Sequence, residues 1–358
     1  MSSFITNAQH LAVFEDAQKR FYIFDKDHFT RAEHMPVKEY WVGKNYVAFI
    51  KNNGVFTMYY DGKEHEITPA AVSVNATDYF MSYFIDEQLW LFNGEQIKFI
   101  DPWIKTNKST NEFKNFSTFS ISDEIMAFTN SFERFHVYEN FETKEIELWD
   151  IKTLKTGENI LAYIDYNDFF KIYYKGKRYD IEDLVPQTFD TGRDIVAYVD
   201  DFGTFKVWDK GIKTELSDQK PKSYFVGEKM VAYLDDMDQF NCYYNDKVFE
   251  LLTYKPNNIT MKENVLVFND NRNFTYVFHK GKTTKIASFN PNKIVINDDF
   301  VVFQDLYGYI KAFKDGKIIS ISKEIAIEFE VFNDVVLYKT NEYTWNAVYK
   351  GVTTSYLP

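Results

Sequence analysis

The chain has 358 residues, and 35 Phe and 26 Tyr against only 14 Gly and 8 Pro favour strands over disorder or low complexity. A formal charge of −12, a pI near 5.1 and no offsetting run of Lys or Arg argue against a nucleic-acid partner. The single cysteine, Cys242, excludes an internal disulfide framework and a multi-cysteine zinc site, and no apolar run approaches the ~18 residues of a membrane span.

The opening stretch MSSFITNAQHLAVFEDAQKR lacks the basic region and unbroken apolar core of a signal peptide. It supplies an A strand near residue 3 and then LAVF at 11, the first copy of a tetrapeptide that recurs along the chain. Further copies are YVAF at 46, MSYF at 81, IMAF at 125, ILAY at 160, IVAY at 195, MVAY at 230, VLVF at 265, FVVF at 300 and VVLY at 335. Every interval is 35 residues except one of 44, and fixed spacing of this kind marks a repeat array. The long interval holds a polar insertion, DPWIKTNKSTNEFKNF at 101–116, which is expected to project as a loop. Trp103, Ile104, Phe113 and Phe116 within it are candidate anchors for a protein partner, set against a neutral surface insertion.

Each unit reads as four antiparallel strands, A to D. In the copy around residue 230 they are expected at 223–227, 230–235, 239–244 and 247–252. Alternation of β-branched and aromatic residues defines the runs, and Gly, Asn or Asp closes the turns between them. Two columns at 35-residue spacing support the register. Ile172, Val207, Cys242, Val277, Ala312 and Ala347 form one; Phe135, Phe170, Phe205, Phe240, Ile310 and Trp345 form the other, with Thr275 its polar member. Short A–B, B–C and C–D connections and a longer D–A connection describe a β-propeller blade. The last unit ends in a D strand near 357, so the chain is read as a single repeat domain, 1–358, of about ten blades.

The copies ILAYIDYNDFFKIYYKGKRYDIEDL and, most plainly, IVAYVDDFGTFKVWDKGIKTELSD resemble the repeats of TolB-like and WD-repeat-like propellers over nearly the whole chain. Two departures stand out. The A–B turns read GEK, GRD or NDD in place of a Ser-Pro-Asp-Gly type turn, and ten units exceed the usual four to eight. A seven-bladed ring from about residue 120 preceded by three repeats, two five-bladed rings divided near 185, and an open β-solenoid therefore stand as alternatives. Whole units at both ends also leave a closed ring without a strand shared between its first and last blades.

Candidate chemistry is sparse. Asp16, Asp86, Asn130, Asp165, Asp200, Asp235, Asp270 and Asp305 recur just after the tetrapeptide. Their repetition favours a turn-forming role, with the side chain accepting backbone N–H groups, over a carboxylate ring. Asp165 with Asp168, and Asp235 with Asp236 and Asp238, lack the spacing of a calcium loop. His10, His28, His34, His65, His136 and His279 occupy different registers without metal-ligand spacing and are expected at the surface or in turns. Cys242 is expected to be buried, and no nucleophile elbow or phosphate-binding glycine loop occurs. No catalytic residue, metal or cofactor is assigned.

The leading functional reading is a non-enzymatic protein-interaction module or scaffold. Likeness to TolB-like propellers implies a bacterial cell-envelope or secretion assembly, periplasmic if a signal peptide has been removed and cytoplasmic otherwise. The alternative is a propeller enzyme or carbohydrate-binding protein with its site at a central channel.

Overall fold

The computed structural model describes residues 10–85, 88–101, 119–130 and 132–357. They form ten antiparallel sheets, each built from strands consecutive in the chain, so the architecture is all-β with ten propeller blades. Nine sheets have four strands; the first has three described strands, Leu11–Glu15, Phe21–Asp25 and His28–Glu33. Among the described residues no helix is long and apolar enough to cross a membrane. The A strand expected near residue 3 and the insertion at 101–116, from 102 onwards, lie outside the described residues.

Blade 7 shows the repeat in full: A is Ser223–Gly227, B is Met230–Leu234, C is Phe240–Tyr244 and D is Lys247–Leu252. These bounds match the sequence expectation to within one residue. Strand B is largely apolar on both faces because each face lies against a neighbouring blade, and strand C is apolar on one face with a polar residue at its second position on the other. Ile195–Val199 of blade 6, for example, is buried at all five positions, whereas the outer strand Glu142–Glu147 of blade 4 is exposed or half-buried throughout. Such continuous apolar runs belong to strands covered on both sides. A register shift recurs where strand C begins to pair with D, at Phe135/His136, Phe170/Lys171, Phe205/Lys206 and Phe240/Asn241. The extra residue there bends the outer strand away from the ladder.

By contacts the chain divides into two compact units, residues 1–99 with 291–358, and residues 100–290. In the second unit, blades 4 to 8 are joined pairwise by apolar clusters. Phe170 and Ile172 of blade 5 pack with Val196, Tyr198 and Trp208 of blade 6, and Phe205 and Val207 of blade 6 pack with Val231, Tyr233 and Tyr243 of blade 7. Full burial of each such side chain contributes on the order of 1.5–3 kcal/mol. Both columns read from the sequence are therefore core. Thr275 is accommodated because its Oγ1 donates to the Phe289 carbonyl at 2.6 Å and accepts from Asn269 Nδ2 at 2.8 Å. Cys242 is buried, and burial raises its thiol pKa well above the ordinary value.

In the first unit the same packing joins blade 1 to blade 2, blade 2 to blade 3, blade 9 to blade 10, and blade 10 to blade 1. Ala12, Phe14, Tyr22 and Phe24 meet Val335, Leu337, Trp345 and Ala347. Phe14 lies 5.3 Å from Trp345 between ring centroids, and Tyr356 Oη donates to Asp16 Oδ2 at 3.0 Å. The first and last blades thus meet face to face, so the lack of a shared strand read from the sequence does not count against a closed ring. It also overturns the seven-plus-three, two-ring and open-solenoid alternatives, since blade 1 packs on blade 10 and blade 5 packs on blade 6 across residue 185.

Candidate functional site

In every antiparallel blade the A–B and C–D turns lie at one end of the strands. The B–C turn and the D–A linker lie at the other. The two ends are chemically different, and blades 4 to 7 show this within one unit.

At the A–B end the turns press against one another. A Cβ on Gly157 would sit 2.0 Å from the Gly192 carbonyl oxygen, one on Gly192 would sit 1.8 Å from the Gly227 oxygen, and one on Gly227 would sit 2.5 Å from the Glu263 oxygen. Only glycine admits such a close approach of backbones. Arg193 follows this collar. Its Nε donates to Glu158 at 2.5 Å and Glu228 at 3.0 Å, its Nη1 to Glu124 at 2.6 Å, and Asn264 Nδ2 donates to Glu228 as well. Burial, reinforced by the neighbouring Glu228 carboxyl, pushes Glu158 up to about 8 despite the guanidinium. One cation thereby ties the turns of four blades.

The B–C turns are built by the recurring aspartate. Asp200 Oδ1 accepts N–H bonds from Phe202 at 3.0 Å and Thr204 at 2.9 Å; Asp165, Asp235, Asp270, Asp305 and Asp16 accept the equivalent pair, as does Asn130. The turn-forming role read from the sequence is therefore the observed one; Asp86 lies outside the described residues. The second oxygen of Asp200 pairs with Lys206 at 2.7 Å, and Lys206 reaches Glu182 of blade 5 at 3.2 Å, which also accepts from Tyr198 Oη at 2.8 Å. An identical set, Asp165, Lys171, Glu147 and Tyr163, joins blades 4 and 5. Burial would raise the Asp165 and Asp200 carboxyls, but the lysine and backbone N–H bonds outweigh it and hold both below the ordinary range. Asp168 and Asp238 pair with Lys152 and Lys222, each at 2.7 Å. The carboxylates that superficially suggest calcium are thus mostly taken up by turns and lysines.

Held on these turns are apolar side chains that the fold does not cover. Two residues after the turn Asp or Asn stand Phe132, Phe202, Met237, Tyr307 and Tyr343, with exposures of 73, 85, 74, 78 and 55%. The D–A linkers of the second unit add exposed Leu148, Trp149, Leu184 and Val185, and the Trp149 ring lies tilted beside exposed Tyr166 at 6.2 Å between centroids. Linker and turn are tied together, as where Gln187 Nε2 donates to the Asp201 carbonyl at 3.2 Å. Sequence reading did not single these residues out, although an apolar residue at a fixed place in a polar turn was a visible signal.

Two of the histidines depart from expectation. His10 and His279 are buried rather than superficial. His10 Nδ1 lies 2.9 Å from Asp25, which also accepts from Tyr59 Oη at 2.7 Å. His10 and then Tyr59 hold the Asp25 carboxyl below its ordinary value despite burial. This enclosed trio links blades 1 and 2. His28 and His34 are exposed as expected. The insertion residues Trp103, Ile104, Phe113 and Phe116 lie outside the described residues.

The family model of the 10-bladed beta propeller domain matches residues 5–354. No curated protein matches the chain. Similar solved structures include the computationally designed Ika8 protein, at 12% identity and a TM-score of 0.34, covering 78% of this chain and 96% of that one. The tricorn protease, at 12% identity and a TM-score of 0.34, covers 98% of this chain, which in turn spans 47% of the protease. The CRINKLY WD40 ectodomain of the Arabidopsis thaliana receptor kinase ACR4, at 11% identity and a TM-score of 0.37, covers 68% of this chain and 94% of its own.

Proposed function

The chain belongs to the family of 10-bladed beta propeller domains, and from that premise we propose that it is a non-enzymatic protein-interaction scaffold whose B–C end receives the partner. The observation that carries this reading is the apolar tip repeated on turns that are otherwise rigidly hydrogen-bonded, Phe132, Phe202 and Met237 in one unit and Tyr307 and Tyr343 in the other. An apolar residue in water on a preordered turn adds little to folding, but it loses little entropy on docking and supplies the anchor a protein interface needs. The cellular setting proposed for it is an accessory role in a bacterial cell-envelope assembly, on the strength of the TolB-like repeat pattern at 195–218.

The test is cross-linking in native cells followed by purification, with the wild type, F202S/M237S, and a control at the opposite end, Ile212→Ser. The double variant is expected to lose specific partners, while its unfolding free energy stays within about 0.5 kcal/mol per site of the wild type. Partners retained in full by F202S/M237S would remove the B–C end from the proposal. A deletion of 101–116 run beside it asks whether the insertion contributes separately.

A further inference from the structure

We infer that the B–C end of blades 4 to 7 is shaped for a cationic polypeptide segment, one that carries Lys or Arg side chains between bulky apolar ones. The inference rests on the scaffold reading and adds the chemistry of the partner.

The ground for it is which charges at this end are compensated and which are not. Aspartates that the fold requires have partners: Asp165 and Asp200 have Lys171 and Lys206, Asp168 and Asp238 have Lys152 and Lys222, and Asp235 has the N–H groups of Met237 and Gln239. Four others do not. Asp183, Asp201, Asp218 and Asp236 are all exposed, and none has an ion-pair partner among the described residues.

Their positions are regular. Asp183 and Asp218 share one register in successive D–A linkers, and Asp201 and Asp236 share another in successive B–C turns, each pair 35 residues apart. Three of the four stand directly before an exposed apolar residue, giving the doublets Asp183-Leu184, Asp201-Phe202 and Asp236-Met237. Of the cations at this end, Lys152 and Lys222 hold aspartates, and Lys220 donates to the neutral Gln187 at 3.1 Å, so it pairs with none of the four carboxylates.

An acidic or neutral apolar partner would bury these carboxylates without compensation. A Lys- or Arg-bearing one would pair with them while its apolar residues covered Leu184, Phe202 and Met237. Charge of one sign around apolar anchors also speeds encounter with the complementary partner and discourages others.

The experiment uses the full chain and three fluorescent peptides: KFSKLSKFSKLS, its counterpart with Glu for every Lys, and its counterpart with Ser for every Phe and Leu. The first is expected to bind, and its affinity is expected to fall steeply between about 50 and about 300 mM salt. D183N/D201N/D218N/D236N and F202S/M237S are each expected to weaken it by about tenfold or more, and Ile212→Ser to leave it unchanged. Equal binding of either counterpart peptide, or wild-type affinity in both multiple variants, overturns the inference. So does self-association of the wild type that F202S/M237S abolishes, because the occupant would then be a second copy. If F202S/M237S loses its native cross-linked partners while the Lys/Phe peptide fails to bind the wild type, the cationic assignment falls and the scaffold reading stands.

Discussion

The two ends of blades 4 to 7 use similar residues to opposite effect. At the A–B end three glutamates converge on Arg193, and glycines let the turns touch backbone to backbone. Charge there is internal and serves cohesion. Around the B–C turns, one set of aspartates is equally internal, while Asp183, Asp201, Asp218 and Asp236 face water beside Leu184, Phe202 and Met237. The same side chain is architectural where a lysine or a row of N–H groups meets it, and available for recognition where nothing does. Composition cannot separate the two cases.

The contrast can be broken most severely at the collar. Gly192→Ala places a methyl group on the Gly227 carbonyl, with no flexible side chain able to yield. It is expected to cost at least about 3 kcal/mol in denaturant unfolding, or to prevent folding. A loss under about 1 kcal/mol would mean that the turns are not in firm contact.

At the other end Asp200→Ala removes two N–H acceptors and strands Lys206. A loss of about 2 kcal/mol is expected near neutral pH. Because the Asp200 carboxyl is held below its ordinary value of 3.8, its contribution is present above that value and disappears as pH falls through the folded pKa, so mutant and wild type should converge in acid. Parallel stability curves down to the acid limit would contradict this.

Glu158 gives an effect of the opposite sign. Its folded pKa of about 8 lies above the ordinary 4.5, so the stability it contributes is complete below 4.5 and lost as pH rises through about 8. Glu158→Gln should therefore be close to neutral at pH 5 and clearly stabilising at pH 9, read as unfolding free energies of the two proteins at each pH. A variant equally destabilised at both pH values would show that Glu158 is ionised throughout and bound to Arg193 as a simple pair.

Much of this molecule was legible before its coordinates. The tetrapeptide located strand B in each blade because a strand covered on both faces must be apolar without interruption. The 35-residue columns predicted the buried slots down to Cys242. The turn role of Asp16 and its described equivalents is legible because an Asx turn is local, made by side chain and backbone two to four residues apart.

Relations across blades were the illegible part. Nothing local at Arg193 announces glutamates 35 and 69 residues away in Glu158 and Glu124. His10 sits in a polar-looking stretch, yet Asp25 and Tyr59 enclose it. The apolar tips were missed for a different reason. A Phe or Met in a strand-rich sequence is assumed to be core, and only the turn two residues before Phe202 or Met237 shows that it is not.

The joint between blades 1 and 10 carries a last consequence. Phe14, Trp345, Tyr356 and Arg20 make it from the same kind of ring packing and side-chain bonding that serves between other blades, with Arg20 donating to Tyr356 at 3.2 Å. Other adjacent blades are also tethered by a length of backbone, so they can separate and find each other again as neighbours on a string. Here the two surfaces are brought together from opposite ends of the sequence. In kinetic terms this is the contact of highest contact order in the molecule, expected to form late and to open first, so its aromatic residues would govern how long the assembled array persists rather than how readily each blade folds.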